Sequence, residues 1–302
     1  MQLILDGDLK FKKTCVTFGY FNSMHRGHRS VINRLIEQES KGFSSVLIYL
    51  EKDQRVDSDQ KCDIYTRDEK FKFLQKNGPM IMVSYPFAEV IESMDPEKFI
   101  KEILVGRFDA KVIVAGNNCQ FGKSGSGNIH TLKELSEKYG YELVSCETVN
   151  YEEKPITDDW INHEIIEGDI ETANTLLGSP LTLWGSIIHG KALGRRFGMP
   201  TANLRLPANK IIPKHGVYAT LTNIDGKWIK GLTNIGRRPS VDDQTHVSVE
   251  TYLLDFSDDL YGKEVGLELH HYIRGVKKFN NLEEVTQQVK LDIIAAKDIL
   301  LI

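Results

Sequence analysis

Residues 184–206 read WGSIIHGKALGRRFGMPTANLRL. The run from Leu181 to His189 is rich in β-branched and aromatic residues, the composition of a strand. Gly190, Gly194 and Gly198 then punctuate a loop that carries Lys191, Arg195 and Arg196. Such a loop can bring backbone N–H groups and cations against phosphate oxygens. Pro200 fixes its own φ and disfavours helix at Met199, which makes the turn ahead of Thr201 rigid. Thr201 and Asn203, two apart on an extended segment, share a face, so both side-chain oxygens can reach one hard cation such as Mg²⁺ with its nucleotide phosphates. Spacing alone leaves a plainer reading open: a glycine-rich turn of a β-barrel, with Asn203 making an ordinary turn bond.

Working outward from this stretch, the sequence changes texture. After Pro180 come short strands separated by turn signals, at Val217–Asn223, Trp228–Thr233, His246–Leu254 and Val265–Ile273, which predict a small β-barrel. An amphipathic segment from Leu282 to Leu301 predicts a closing helix. Before Pro180, strands at Thr14–Phe18, Ser45–Leu50, Met80–Ser84, Lys111–Val114 and Glu142–Glu147 alternate with helices at His28–Glu39, Thr66–Lys76, Pro96–Leu104 and Ile129–Tyr139. That alternation predicts a parallel α/β sheet. Between the halves, Asp169 can cap a short helix that Gly178 and Pro180 stop, so the expected domains are residues 1–178 and 179–302.

Composition sets the outer limits. With 302 residues, 41% hydrophobic and 26% charged, the chain has the make-up of a soluble two-domain protein. Its formal net charge of −4 gives no electrostatic reason to expect nucleic acid as a partner. The sequence shows no membrane-length apolar run and no signal-like opening, and these features predict a cytoplasmic protein without a membrane partner. Cys15, Cys62, Cys119 and Cys146 lack any C-x-x-C spacing and read as reduced thiols.

The run His189-Gly190, Gly194-Arg195, Gly198 and Pro200-Thr201-Ala202-Asn203 resembles the HGxxxGRxxGxPTAN signature of the riboflavin kinase half of bacterial bifunctional FAD synthetases. Further features recur in the family's order: Gly216-Val217-Tyr218-Ala219, Thr233-Asn234-Ile235-Gly236 with Pro239, Val249-Glu250 before Leu253, and Leu260-Tyr261-Gly262. The resemblance covers nearly the whole chain. It implies a Rossmann-like nucleotidyltransferase domain followed by a β-barrel kinase domain with a C-terminal helix. It also implies ATP and Mg²⁺ as cofactors and riboflavin, ATP and, if the first domain works, FMN as small-molecule partners. Thr201 and Asn203 would hold the metal and phosphate; His189, Gly190, Lys191, Gly194, Arg195, Gly198, Pro200 and Asn234 would frame substrate and nucleotide.

Glu250 would be the base that takes the proton of the ribityl terminal hydroxyl. Read without the resemblance, strand alternation puts Glu250 on the face of Ser248 and Tyr252, opposite Val249, where most glutamates simply meet solvent. Arg274 matches an arginine of an L-R-x-E-x-x-F motif that the family places near the flavin, although Val276 stands where the glutamate is expected. On residue type alone, Arg274 and Lys277 would be solvated charges.

The other motif, Gly19 to His28, reads GYFNSMHRGH directly after the first predicted strand and resembles the GxFDGxHxGH element of FMN adenylyltransferases. A strand end meeting a helix start is where open α/β sheets bind ligands. Gly19, Phe21 and Gly27 would shape the loop, and His25 and His28 would donate to charge on a nucleotide α-phosphate. A helix-capping turn with two surface histidines is the plainer alternative. Three departures cluster where charge matters. Asn22 and Ser23 replace an aspartate and a glycine, Asn118 replaces a second aspartate, and Ile156 to Asn162 mostly loses the hydroxyl pair and arginine of I-S-S-T-x-I-R while gaining Asp158 and Asp159. Losing a bidentate phosphate donor and adding carboxylates both oppose a triphosphate. The expectation is a riboflavin kinase whose first domain adenylylates FMN weakly or not at all. Its alternatives are a fully bifunctional enzyme, with Arg26, Arg29 or Lys123 compensating, and a non-catalytic flavin- or nucleotide-binding regulator.

Overall fold

A six-stranded parallel sheet organises the first half, in the order β1-β4-β3-β2-β5-β6. Its strands are β1 Gln2–Leu5, β2 Thr14–Gly19, β3 Ser44–Leu50, β4 Ile81–Tyr85, β5 Ala110–Gly116 and β6 Glu142–Cys146. The computed structural model describes residues 1–5, 10–51, 62–85, 88–190, 199–238 and 246–300. Buried side chains such as Val16, Ile48, Val83, Phe99, Leu104 and Ile113 fill the core against the sheet. Strand order reverses around β2, which pairs with β3 on one side and β5 on the other. In an open α/β sheet that switch point, at the carboxyl strand ends, is where a ligand crevice forms. Here it lies at Gly19 and Gly116, beside α1 Arg26–Glu37.

The sequence reading of this half holds, with local differences. The edge strand Gln2–Leu5 was not expected; only β4 pairs with it, and its two end residues are exposed, so it carries no buried-strand pattern. The helix expected at Pro96–Leu104 is a single α-turn, Pro96–Lys98, continuing as a π-helix over Phe99–Arg107, where Phe108 N–H donates to Ile103 O five residues back. The wider turn lets Phe99, Ile100 and Leu104 all reach the core.

The second half closes into a barrel of antiparallel pairs, ordered β7-β8-β11-β10-β9-β12. These are β7 Leu181–Ile188, β8 Thr201–Arg205, β9 Gly216–Ile224, β10 Lys227–Arg238, β11 His246–Leu253 and β12 Glu264–Gly275. Inside it, the hydroxyls of Thr220, Thr233 and Thr251 form a chain with two 2.8 Å links. Outside, Val217, Ala219, Leu221 and Leu232 pack under Val289, Ile293, Ala296 and Leu300 of the C-terminal segment, whose helix spans Leu282–Ile299. Contacts divide the chain into two compact units, Met1–Asp158 and Asp159–Ile302. The short helix Ile170–Leu177 is capped by Asp169 and stopped at Gly178 (φ 74°). It packs on the barrel, its Asn174 accepting from Leu181 N–H at 2.7 Å and donating to Leu269 O at 2.9 Å. Among the described residues no helix is long and apolar enough to cross a membrane.

Because Thr233 is the middle hydroxyl of the buried chain, Thr233→Val should leave both neighbours without their partner and cost about 1–3 kcal/mol. Thr220→Val, at the end of the chain, should cost less. Chemical denaturation followed through Trp184 and Trp228 fluorescence measures the difference, and equal costs would count against the chain as a stabilising unit.

Candidate functional sites

The α/β cleft is built from the loop after β2. Gly19 adopts φ 153°, and a Cβ there would lie 3.3 Å from the Phe21 ring. His25 is the N-cap of α1, its Nδ1 accepting from Gly27 N–H at 2.9 Å and His28 N–H at 3.2 Å. An Nδ1 that accepts carries no proton, so the hydrogen sits on Nε2, away from the backbone. Gly27 is required by this cap, because a Cβ there would lie 2.8 Å from the His25 ring. His28 stacks on His25, ring centroids 3.8 Å apart and planes tilted 14°, and its own Nδ1 is buried without a hydrogen-bond partner among the described residues. The two are therefore not surface histidines on a capping turn. His25 caps the helix, and both rings wall the cleft.

Asp158 faces this pair. Its Oδ1 accepts from Ser23 N–H at 3.2 Å and from the Ser23 hydroxyl, joining two positions where the sequence departs from the adenylyltransferase pattern. Sequence reading named each departure but missed that they touch, since 135 residues separate them. The cleft, a cavity of ≈ 300 Å³ lined by Gly19, His25, His28, Asn118, Glu147 and Asp158 among others, is at the small end for a ligand pocket. Among the described residues, none of Arg26, Arg29 or Lys123 lines it. Arg29 instead donates to Met24 O at 2.9 Å and lies over the Phe73 ring at 4.5 Å. Asn22, where the resemblance has a carboxylate, keeps a buried Oδ1 with no hydrogen-bond partner among the described residues.

Ligand atoms of His25, His28 and Asp158 lie within 4.8 Å of one another, which invites a metal reading. Stacking argues against it. An ion about 2.0–2.1 Å from a nitrogen of each imidazole would have to lie near both ring planes. Rings stacked 3.8 Å apart and only 14° from parallel have no such point close by.

Burial pushes the His25 imidazolium below its ordinary range, with Asp158 partly opposing the shift. It brings His28 down to about 3, helped by His25 and opposed by Asp158. Both rings are neutral at pH 7. Nearby Lys70, fully buried and donating to the Tyr49 hydroxyl at 3.1 Å, is lowered to about 8, also by burial.

In the barrel unit the predicted residues fall on one line. Across antiparallel pairs, Asn203 on β8 stands opposite Glu250 on β11, and Glu250 opposite Asn234 on β10. Asn234 in turn pairs with Val217 on β9, and Val217 with Arg274 on β12. Directly opposed residues share a face, and Val217 packs beneath the C-terminal helix, so the row runs on the outside of the barrel. Val249 is 2% exposed on the inner face while Glu250 is half-buried on the outer one, the alternation that the sequence predicts. Thr201, opposite Tyr252, lies on the same face as Asn203. Asn203 is buried, and a Cβ on Gly190 would come within 2.2 Å of its Nδ2, so only glycine lets the carboxamide pass. His189 stacks on Tyr261 at 3.6 Å, a contact that the sequence did not reveal. Pro200 is exposed just ahead of β8. Lys191, Gly194, Arg195 and Gly198 lie outside the described residues. Arg274 is not the solvated charge that residue type suggests; it forms a bidentate ion pair with Asp292.

Depressed histidines fix the sign of a pH effect in the α/β unit. An unfolded chain titrates histidine near ~6.5 and so binds more protons than the folded one below that pH. Stability contributed by His28 is full above about 6.5 and should fall toward pH 3, approaching roughly 1.4 kcal/mol per pH unit. Urea midpoints of the wild type and His28→Gln, compared at pH 7.5, 5.5 and 4.5, read this; identical pH slopes in the two proteins would contradict it.

A riboflavin kinase family model matches residues 177–300, and an FAD synthetase family model matches residues 8–159. The bifunctional riboflavin kinase/FMN adenylyltransferase of Bacillus subtilis (strain 168) is 32% identical over 288 residues, covering 93% of this chain and 90% of the relative. That of Escherichia coli (strain K12) is 30% identical over 290 residues, covering 94% and 92%. A crystal structure described as a macrolide-efflux protein from Streptococcus pneumoniae superposes with a TM-score of 0.82 over 95% of this chain and 94% of that one; at 24% identity it speaks for the fold alone. With both family models matched in the order of the two units, the chain belongs to the bifunctional riboflavin kinase/FMN adenylyltransferase family.

Proposed function

We propose that residues 179–302 phosphorylate riboflavin to FMN at the expense of ATP, and that residues 1–178 convert FMN to FAD weakly or not at all. The row Asn203–Glu250–Asn234 carries the first part. Phosphoryl transfer asks for a base at the nucleophile, donors for the charged oxygens and fixed positions for both. Glu250 accepts the proton of the ribityl terminal hydroxyl as that oxygen bonds to the γ-phosphorus and the bond to ADP breaks. The Thr201 hydroxyl and Asn203 carboxamide offer hard oxygen ligands on one face, with the Gly190 cradle keeping the carboxamide in place, so this donor set fits Mg²⁺. When bound, Mg²⁺ would neutralise charge on the β- and γ-phosphates. Asn234, exposed beside Glu250, can hydrogen-bond the ribityl chain.

The Ser23–Asp158 bond carries the second part. It fixes a carboxylate opposite the two imidazoles, where the α-phosphate would have to approach. Like charge repels at that point, and the neutral histidines add no full positive charge to offset it. A fully bifunctional reading draws on the retained Gly19, His25, Gly27 and His28 and on relatives that are named for both activities.

Glu250→Gln should lower FMN formation at least about a hundredfold with little change in riboflavin KM, the pattern for loss of a group acting in the transition state. Unchanged turnover would remove Glu250 from its role. Chromatography of flavins after incubation with FMN and ATP should show little FAD from the wild type. More FAD should come from Ser23→Gly/Asp158→Ser, which removes the carboxylate and its partner together. FAD formation by the wild type at a rate comparable with FMN formation would overturn the second part.

A further inference from the structure

The pairing of β7 with β8 runs as far as Ile188, which stands opposite Asn203. His189 and Gly190 lie past that last pair, so the ladder does not place them. Gly190 is nevertheless held close to Asn203, since a Cβ on it would come within 2.2 Å of the carboxamide Nδ2 and 2.8 Å of Oδ1. On the kinase reading that carboxamide oxygen is a metal ligand, and a misplacement of about 1 Å at such a group is enough to slow a reaction severely. Something outside the ladder has to set where Gly190 stands.

The turn ahead of β12 supplies it. The Tyr261 ring stacks on the His189 imidazole, centroids 3.6 Å apart and planes tilted 26°. That turn is itself fastened to the end of β7 by backbone: Gly262 N–H donates to Ile187 O and Ile187 N–H to Lys263 O, both at 2.9 Å. Inside the turn, Tyr261 N–H donates to Asp259 Oδ1 at 2.9 Å and Lys263 N–H to Leu260 O at 3.0 Å. Gly262 takes the left-handed φ of 76° that the reversal asks for, and the Leu260 side chain is buried. Ile187 is therefore gripped on both edges, by Leu204 of β8 and by this turn. The stack carries the grip on to His189, an exposed side chain that would otherwise sample several rotamers.

We propose that Tyr261 is a positioning residue of the kinase site: by holding His189 it fixes Gly190 against Asn203, and so keeps the carboxamide oxygen where Mg²⁺ needs it. The inference rests on the kinase reading above. The stack asks for a flat ring at position 261 and makes no use of its hydroxyl.

In the full chain, Tyr261→Leu removes the flat partner while keeping an apolar side chain, and Tyr261→Phe keeps the stack. Tyr261→Leu should raise the Mg²⁺ concentration for half-maximal FMN formation about tenfold, the scale of one aromatic contact, with riboflavin KM within about twofold of wild type. Tyr261→Phe should match the wild type in both. Combined with His189→Leu, Tyr261→Leu should add nothing further, since both act through one stack. An unchanged Mg²⁺ dependence in Tyr261→Leu, or an equal loss in Tyr261→Phe, would overturn the assignment. So would a raised KM for ATP that persists at saturating Mg²⁺, because the ring would then meet the nucleotide itself. NMR of asparagine-labelled protein reads the coupling without turnover, with the Asn203 side-chain amide assigned by its loss in Asn203→Ala. That amide should shift in Tyr261→Leu and stay in place in Tyr261→Phe; an amide indifferent to both would sink the proposal whatever the turnover. A wild type that makes no FMN, while its Asn203 amide still follows Tyr261, would sink the kinase reading and leave the link from Tyr261 to Asn203 standing.

Discussion

Strand register in the barrel is the constraint on which the rest of the second unit depends. Asn203, Glu250 and Asn234 come from three different strands and meet only because β8, β11 and β10 pair at one offset. A slip of one residue would turn Glu250 inward and Val249 outward. Two features hold the offset from opposite sides. The threonine hydroxyl chain links β9, β10 and β11 inside, where an unpaired hydroxyl is penalised, and the apolar stripe of the C-terminal helix fits only one set of outward side chains. Gly190 is the third support, local rather than global, since any larger residue would displace the carboxamide of Asn203.

The α/β unit shows the opposite relation between scaffold and chemistry. Its switch point, glycine turn and helix cap are all in place, yet a carboxylate, Asp158, is held on the cleft wall beside the two histidines. Ser23 donates to Asp158, so the partly buried carboxylate has a hydrogen-bond partner of its own. That makes the substitution cheap for folding and costly for anion binding. The pairing also explains why neither change would be neutral alone. Asp158 beside a glycine would lack the hydroxyl that it accepts from, and Ser23 without Asp158 would leave a fully buried hydroxyl without that partner.

Much of this was legible in the sequence because it is local or periodic. Strand alternation placed Glu250 opposite Val249, the glycine-rich stretch preceded the right strand, and Asp169 and Gly178 marked the ends of a helix. Legibility ended where function depends on pairs distant along the chain. The Ser23–Asp158 bond, the His189–Tyr261 stack and the Arg274–Asp292 grip each join different elements, and no periodicity encodes such contacts. The π-helix at Phe99–Arg107 escaped for a related reason: its apolar spacing fits a four-residue repeat nearly as well as a five-residue one, and the sheet surface decides between them.

Retention of a catalytic motif is therefore a weaker sign of activity in the first unit than in the second. His25 satisfies two N–H groups at the start of α1, a cap of the kind whose loss costs about 1 kcal/mol, and Gly27 is dictated by the ring that makes that cap. His28 fills the space against His25 and Phe21. Stability alone would keep the H-x-G-H element after its chemistry had gone. Asn203 and Glu250 are placed by strand register and not by a helix cap. An asparagine carboxamide forced past a glycine and a half-buried glutamate flanked by two asparagines do less for a barrel than valine or threonine would at the same positions. Strand pairing sets where these side chains stand, and the kinase proposed above is what asks for a carboxamide and a carboxylate side by side there.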